Sequence, residues 1–321
     1  MSGKNLRIVF MGTPEFAVTS LKALVENNYQ VVGVITAPDR PSGRGLQLHE
    51  SDVKKYAVSV GLPVLQPEKL KDPEFLSQLA ELKADIQVVV AFRMLPEAVW
   101  MMPPMGTFNL HGSLLPNYRG AAPLNWAIIN GDTESGVTTF LLKQEIDTGH
   151  ILFQEKVTIS PEESVGDLHD KLMDIGAQLV LTTIEAIANK QIQPIDQSTF
   201  TIDPIRLHAP KLFKGDGKLN WSDNAQTLVN RIRGLSPYPT AWTNIYLGET
   251  ETGLKIFKAK AEVTPHEHQP GALLSDNKTF LKIACADGYV QLLNLQLAGK
   301  KQLEAADFLR GFPHSTSYIA R

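Results

Sequence analysis

The chain has 321 residues, of which 43% are hydrophobic, and a formal net charge of −3 at pH 7. This length exceeds one typical hydrophobic core and predicts two domains, while the hydrophobic content is ordinary for a globular protein. The single cysteine, Cys285, excludes an intrachain disulfide and a zinc site built on cysteines, and it fits a reducing compartment. Neither a signal peptide nor a membrane-spanning segment is recognised at the start, so we expect a cytoplasmic protein.

Charge is distributed unevenly along the chain. Residues 206–321 carry 15 Lys and Arg against 10 Asp and Glu, whereas residues 1–205 carry 16 against 24. The basic second half indicates an anionic macromolecular partner, and the alternative is a chance excess of charge on a solvated surface.

Strand and helix patterns alternate through the first half of the chain. A helix is predicted over 16–25 from apolar residues at helical spacing. Buried strands are predicted from short runs rich in β-branched residues, over 6–11, 31–35, 63–65, 86–92 and 107–110. This alternation is typical of a parallel sheet covered by helices on both faces, with its site at the carboxyl ends of the strands.

The pattern changes in the second half, after two prolines in the segment 196–210. One helix is predicted near 224–233, followed by short strands separated by turns, over 242–247, 254–261, 280–284 and 290–297. Closely spaced short strands are typical of a small barrel. We therefore predict one domain over 1–205 and a second over 206–321.

Asn109 and His111 end the fifth predicted strand of the first half. Positions i and i+2 share one face of a strand, so both side chains should point together into the crevice beyond the sheet edge. A carboxamide beside an imidazole provides donors suited to an oxyanion. The alternative is a histidine that merely caps the end of a strand, and the matched pair favours the catalytic interpretation.

Asp147 lies in an Asp-Thr-Gly tripeptide between the strands predicted over 137–142 and 151–153. The same tripeptide is also favourable turn chemistry, and a turn needs no catalytic role. The carboxylate becomes a candidate because of Asn109 and His111.

The loop 36–45 follows the second predicted strand and contains Arg40 and Arg44. It should lie beside the predicted site as a cationic loop that holds phosphate, or else as an ordinary surface loop. The turn 12–16 after the first strand lacks the G-x-G-x-x-G spacing, which argues against a nicotinamide dehydrogenase.

Longer motifs carry a family resemblance. Residues 111–116 read His-Gly-Ser-Leu-Leu-Pro, residues 118–123 read Tyr-Arg-Gly-Ala-Ala-Pro, and residues 147–149 read Asp-Thr-Gly. With these motifs the chain resembles the folate-dependent formyltransferase family from end to end. The loop 36–45, called the arginine loop below, and the predicted C-terminal barrel resemble those of the branch of the family that acts on methionyl-tRNA.

The resemblance implies a Rossmann-like, doubly wound catalytic domain and an OB-like barrel that binds tRNA. It implies formyl transfer from 10-formyltetrahydrofolate, without a metal, to methionine on initiator tRNA, by a protein expected to be a monomer. The implied catalytic residues are Asn109, His111 and Asp147. The implied folate-pocket residues are Ser113, Leu114, Leu115 and Pro116. The implied contacts with the acceptor end of tRNA are Arg40 and Arg44. In the basic second half we also predict a tRNA contact at Lys211, with Lys214, Lys218 and Arg233 as further candidates for that surface.

Other functions are compatible with the same residues. A formyltransferase acting on a nucleotide-linked amino sugar would share the catalytic residues and the folate donor, although it would need neither the arginine loop nor a basic barrel. Hydrolysis of the formyl carrier and a non-catalytic RNA-binding protein are further alternatives. Two positions depart from the family pattern, namely Arg93 in the segment that borders the pterin pocket and His150 after the Asp-Thr-Gly turn.

Overall fold

The computed structural model describes residues 2–42, 47–201, 203–247, 249–312 and 318–321. The chain divides into two compact units. The first contains Met1–Gly120, Ser135–Val157 and His169–Ala209, and the second contains Ala121–Glu134, Thr158–Leu168 and Pro210–Arg321. No helix in the described ranges is both long enough and apolar enough to cross a membrane.

Strands and helices alternate over the first 188 residues. In chain order they are β1 Ile8–Gly12, α1 Glu15–Glu26, β2 Val31–Ile35, β3 Arg40–Ser42, β4 Gln47–His49, α2 Asp52–Ser59, β5 Val64–Leu65, α3 Pro73–Glu81, β6 Ile86–Val90, α4 Glu97–Trp100, β7 Thr107–His111, β8 Arg119–Gly120, α5 Pro123–Ile129, β9 Glu134–Leu141, β10 Ile151–Thr158 and α6 Val165–Ala188.

The remaining elements are mostly strands. They are β11 His208–Ala209, α7 Ala225–Gly234, β12 Ala241–Leu247, β13 Thr250–Val263, β14 Leu273–Ser275, β15 Leu281–Ala284, β16 Gly288–Leu297, β17 Gln302–Glu304, α8 Ala305–Leu309 and β18 Ile319–Ala320. Short 3₁₀ helices are formed by Gly3–Asn5, Gln197–Thr199, Pro204–Arg206 and Lys214–Gly217.

The first unit is built on a seven-stranded sheet with the order β10-β9-β7-β6-β1-β2-β5. Its central strands pair in parallel, from β5 through β2, β1 and β6 to β7, and β9 joins β7 antiparallel. The strand order reverses direction between β1 and β6. A doubly wound sheet places its crevice beyond the carboxyl ends of the strands near such a reversal. The predicted Rossmann-like, mostly parallel sheet is confirmed.

Helices cover both faces of this sheet. On one face, Val9 and Met11 of β1 belong to a buried cluster with Phe75 of α3. On the other face, the hydroxyl groups of Thr139 in β9 and Thr183 in α6 lie 2.9 Å apart. Burying one large apolar side chain such as that of Phe75 stabilises the fold by roughly 1.5–3 kcal/mol. The strands therefore read as nearly continuous apolar runs because neither face is exposed to water.

The strands of the second unit form an antiparallel sheet with the order β14-β15-β16-β13-β12-β18, and β17 pairs with β16. The two ends of this order approach each other, because Ala272 beside β14 bridges Ile319 of β18. The sheet is therefore nearly closed, and the predicted barrel is confirmed. Helix α7 contributes Leu228 and Ile232 to the barrel core.

Some elements differ from the sequence prediction. The loop predicted over 36–45 contains β3, which pairs with β4 as a short antiparallel hairpin. Strand β13 is longer than the predicted 254–261, because it has partners along its length in β12 and β16. Strands β8 and β11 pair in parallel across 89 residues of chain. These elements form by pairing with other segments of the chain, and local residue patterns do not predict such pairing.

Candidate active site

Asn109 and His111 lie on one face of β7, at its carboxyl end. Their partners on β9 are Phe140 and Thr138, which are also two residues apart, so the strand is regular here. His111 is 6% exposed, whereas Asn109 is half-buried. The Oδ1 atom of Asn109 is buried and has no hydrogen-bond partner in the described part of the chain. A buried acceptor without a partner is costly, and it marks a position where a ligand can supply the missing bond.

The imidazole of His111 has a hydrogen-bond partner at one nitrogen and a carboxylate near the other. Its Nε2 atom lies 2.9 Å from the carbonyl oxygen of Tyr118. Since a carbonyl can only accept, Nε2 donates this hydrogen bond. The other nitrogen, Nδ1, lies 3.8 Å from Oδ2 of Asp147, beyond hydrogen-bond distance. Tyr118 thus sets the orientation of the ring and leaves Nδ1 on the side of the carboxylate.

Asp147 belongs to a turn as well as to the site. Its backbone has a φ of +53°, in the left-handed region that Asp and Asn adopt more readily than other residues with a Cβ. Its Oδ2 atom accepts a hydrogen bond from the backbone N–H of Gly120 at 2.8 Å. The tripeptide therefore forms a turn, and the same turn places the carboxylate near His111.

A buried glutamine lies behind the turn, and sequence reasoning did not identify it. Gln197 is 2% exposed, donates to the carbonyl oxygens of Asp147 and Gly149, and accepts from Arg119. Burial lowers the pKa of the Arg119 guanidinium, and the nearby charges of Asp147 and Glu145 oppose that effect. A lone glutamine in an irregular segment has no local signal that indicates such a role.

The four residues predicted to line a folate pocket form a tight turn after β7. Ser113 is 1% exposed and its Oγ donates to the carbonyl oxygen of Asn117 at 2.6 Å. Leu115 is also 1% exposed and packs in a core cluster, and Pro116 is buried. Leu114 alone among the four is half-buried. The turn therefore presents backbone and the Leu114 side chain, while the other three side chains face inward.

A cavity of about 510 Å³ lies beside the segment that follows β6. Its lining is Leu70, Lys71, Arg93, Met94, Leu95, Pro96, Glu97, Trp100 and Gln144. That volume is within the range of small-molecule sites. Arg93 donates to the backbone carbonyls of Pro67 and Glu68, so its guanidinium is already bound to the chain. A larger cavity of about 600 Å³ lies beside α6 and contains none of the predicted site residues.

The comparison with protein families matches both parts of the chain. Residues 6–184 match the family described as formyl transferase, and residues 211–313 match the formyl transferase C-terminal domain. The chain belongs to the formyl transferase family. The family expected from the motifs around His111 and Asp147 is thereby confirmed.

Curated members of the family match this chain over nearly its whole length. A methionyl-tRNA formyltransferase of Bacteroides thetaiotaomicron is 51% identical over 319 residues, which cover 99% of both chains. The protein of the same name from Phocaeicola vulgatus is 54% identical over 97% of both chains. The corresponding protein of Flavobacterium johnsoniae is 49% identical over 97% of this chain and 98% of its own.

Two solved structures share the fold with this chain at low sequence identity. An N-formyltransferase of Helicobacter canadensis, solved with folinic acid and dTDP-3-aminofucose, has a TM-score of 0.65 at 20% identity. The match covers 93% of this chain and 100% of the Helicobacter canadensis chain. HypX of Aquifex aeolicus in complex with tetrahydrofolic acid has a TM-score of 0.62 at 19% identity, with coverage of 95% and 47%. At these identities the likeness concerns the fold alone.

The basic residues predicted to contact tRNA are placed as follows. In the first unit, Arg40 is exposed on β3, and Arg44 lies outside the described residues. In the second unit, Lys211 is exposed and its Nζ lies 5.4 Å from the ring centre of Phe213. Lys214 and Lys218 are exposed as well. Arg233 differs from these lysines, because it is 9% exposed and its guanidinium donates to the carbonyl oxygen of Glu163. Its contact with tRNA stays a prediction.

Proposed function

We propose that this protein transfers the formyl group of 10-formyltetrahydrofolate to the α-amino group of methionine on initiator methionyl-tRNA. The observation that carries the proposal is the 51% identity, over 99% of both chains, to a curated methionyl-tRNA formyltransferase. In this proposal the protein acts as a monomer in the cytoplasm, at the initiation of protein synthesis. Residues 1–205 form the catalytic domain, and residues 206–321 form the domain that binds tRNA.

The reaction forms one carbon–nitrogen bond and breaks another. The neutral amine of methionine attacks the formyl carbon, and the carbonyl oxygen becomes an anion at a tetrahedral carbon. Collapse of this intermediate breaks the bond to N10 of the carrier and leaves a formamide on the methionine. One proton leaves the attacking nitrogen, and N10 gains one. The carrier already supplies an activated formyl group, so the proposal needs no metal.

Asn109 and His111 stabilise the oxyanion in this proposal. The carboxamide of Asn109 is supported for this role because its buried end lacks a protein partner. Its oxygen and nitrogen can exchange places by rotation, which turns the donor group toward the anion. For His111, Nε2 donates to Tyr118, so Nδ1 is the ring nitrogen left for the oxyanion, and it donates when the ring carries a proton on both nitrogens. Once the substrates are bound and the amide has turned, such donors stabilise the developing charge effectively, since the reaction itself needs no further reorganisation.

Asp147 orients the imidazole and accepts the proton of the amine, directly or through one water molecule. Support comes from its position, 3.8 Å from Nδ1 of His111, and from the Gly120 amide that fixes the carboxylate. A carboxylate held in this way is preorganised as a general base. The bond to Gly120 restricts rotation of the carboxylate and occupies Oδ2, which leaves the other oxygen to accept the proton.

The folate carrier contacts the Leu114 side chain and the backbone of the turn 113–116 in this proposal. The cavity beside β6 has a volume suited to a pterin-sized ring, and its lining combines Trp100 with apolar groups such as Leu95. Aromatic and aliphatic side chains bury the flat faces of a heterocycle, and backbone groups bind its polar edge. The residues present therefore fit a folate co-substrate.

Phosphate contacts hold the tRNA in this proposal. Lys211, Lys214 and Lys218 are exposed within ten residues of each other, in the half of the chain that carries net positive charge. Arg40 and Arg44 of the arginine loop contact the acceptor end. Cationic side chains at exposed positions bind phosphates without regard to base sequence.

Two acceptors, compared side by side, test the proposal. Purified protein is incubated with 10-formyltetrahydrofolate carrying a labelled formyl group and either methionine-charged initiator tRNA or a nucleotide-linked amino sugar. We expect label on the tRNA and none on the sugar. Transfer to the sugar alone would overturn the tRNA assignment. Release of free formate without either acceptor product would indicate hydrolysis of the carrier.

A further inference from the structure

All the hydrogen-bonding groups of the Gln197 carboxamide are used. Its Nε2 donates to the carbonyl oxygen of Asp147 at 2.9 Å and to that of Gly149 at 2.8 Å. Its Oε1 accepts from Nε and Nη2 of Arg119, at 3.1 and 2.7 Å. Carbonyls only accept and a guanidinium only donates, so the orientation of the amide is fixed by its neighbours.

These bonds join the two segments that hold the catalytic candidates. Arg119 lies in β8, between Tyr118, which accepts from Nε2 of His111, and Gly120, which donates to Asp147. The other two bonds of Gln197 go to the turn that carries Asp147. The Gln197 side chain therefore links the segment 118–120, which contacts His111 and Asp147, to the turn that contains Asp147. It fixes the distance between these two segments.

The Asp147 turn needs such an anchor for a physical reason. Its left-handed φ of +53° is less favourable for a residue with a Cβ than ordinary turn geometry. A strained conformation persists where surrounding bonds determine it, and Gln197 binds the backbone of the strained residue itself. Because Gln197 is 2% exposed, water does not compete for these bonds.

We propose that Gln197 is a positioning residue, which locks the Asp147 turn against β8 and so sets the geometry between His111 and Asp147. The inference rests on the proposed function for the claim that this geometry governs formyl transfer. Gln197 does not touch the reacting atoms. Its contribution acts through the backbone of Asp147 and through Arg119.

Replacement of the amide by an apolar group of similar length tests the inference. Gln197→Met keeps the volume and removes all four hydrogen bonds, and Gln197→Asn keeps an amide that is one methylene shorter. Gln193→Met is the matched control, since Gln193 is exposed four residues earlier in the same segment. The shorter variant also provides a second result if Gln197→Met does not fold.

Single-turnover formyl transfer is measured with both substrates saturating. We expect both Gln197 variants to lose about 10- to 100-fold in rate, because displacement of a catalytic group by about 1 Å has effects of this size. The affinities for tRNA and for 10-formyltetrahydrofolate should stay within about twofold of wild type, since Gln197 contacts neither. Folded variants that transfer at the wild-type rate would overturn the inference.

A second readout separates this inference from the proposed function. In ¹⁵N-histidine NMR spectra, with His111 assigned by its loss in His111→Gln, the His111 ring signals should shift in Gln197→Met and stay unchanged in Gln193→Met. Unchanged His111 signals in a folded Gln197→Met protein would overturn the positioning role, whatever the activity. If wild type transfers no formyl group to methionyl-tRNA while the signals still shift, the proposed function fails and the positioning geometry stands.

Discussion

The amide of Gly120 donates a 2.8 Å hydrogen bond to Oδ2 of Asp147, and this same oxygen faces Nδ1 of His111 at 3.8 Å. The carboxylate is therefore held by the backbone independently of the imidazole. Because the turn also requires a left-handed conformation at Asp147, its charge and its structural role can be removed separately.

Asp147→Asn should remove the charge and keep the turn. Asparagine adopts the left-handed region readily, and its carboxamide oxygen can accept from Gly120. We expect turnover to fall by about 10²–10⁴-fold, the usual contribution of a positioned general base, with little change in thermal stability. Single-turnover kinetics and thermal unfolding measure the two effects.

Asp147→Ala should lose stability as well as activity. The Gly120 amide loses its partner, and alanine is strained at a positive φ, so unfolding should become easier by about 1–3 kcal/mol relative to Asp147→Asn. Urea denaturation of the two variants gives the difference directly. Equal stability of the two would contradict the hydrogen bond between Gly120 and the carboxylate.

Asn109→Ala should lower turnover by about 10²–10³-fold, roughly 3–4 kcal/mol, because one donor to the oxyanion is lost. The affinity for tRNA should change little, since the carboxamide acts on the formyl oxygen. Asn189→Ala is the control, because Asn189 is exposed and donates to Glu185 one helical turn earlier. Undiminished turnover in Asn109→Ala would remove Asn109 from the proposed mechanism.

Gly149→Ala should destabilise the protein and slow transfer together. A Cβ atom at this position would lie 1.6 Å from the carbonyl oxygen of Leu141, so the backbone must move. We expect a loss of more than about 2 kcal/mol in the free energy of unfolding. Gly215→Ala is the matched control, because a Cβ there meets no atom within 4 Å, and its stability should change by less than about 1 kcal/mol. Equal losses in the two variants would contradict the packing at Gly149.

Binding of tRNA should weaken steeply as the salt concentration rises. In the proposed function, exposed lysines such as Lys211 release counterions from phosphates, so the logarithm of the affinity falls linearly with the logarithm of salt. Lys211→Ala should reduce that slope by about one if Lys211 contacts a phosphate. Filter binding at several salt concentrations measures the slope, and a response independent of salt would exclude the electrostatic account.

Cys285 should react slowly with thiol reagents in the folded protein. The residue is 0% exposed, and burial raises the pKa of its thiol, so less of the reactive thiolate is present at a given pH. Labelling should become fast only under conditions that unfold the second unit. Complete reaction of the native protein within minutes would contradict the burial of Cys285 in the barrel core.

Local patterns in the sequence carried much of the fold and part of the site. Strand β2 has the predicted bounds, and Asn109 and His111 share a face because side chains alternate along any regular strand. The catalytic roles of these residues and of Asp147 stay predictions. The motif around Asp147 also predicted a turn, and the positive φ of Asp147 agrees with that interpretation.

By itself, the sequence determined the order of strands and helices, the family, and the residue types available for chemistry. Each of these depends on neighbours within a few positions or on motifs read as a unit. Only the tertiary structure decided which nitrogen of His111 faces Asp147 and that Gln197 anchors the turn from 50 residues away. The reason is physical, because a hydrogen bond between distant segments depends on how the whole unit packs. No local or periodic pattern in the sequence predicts such a bond.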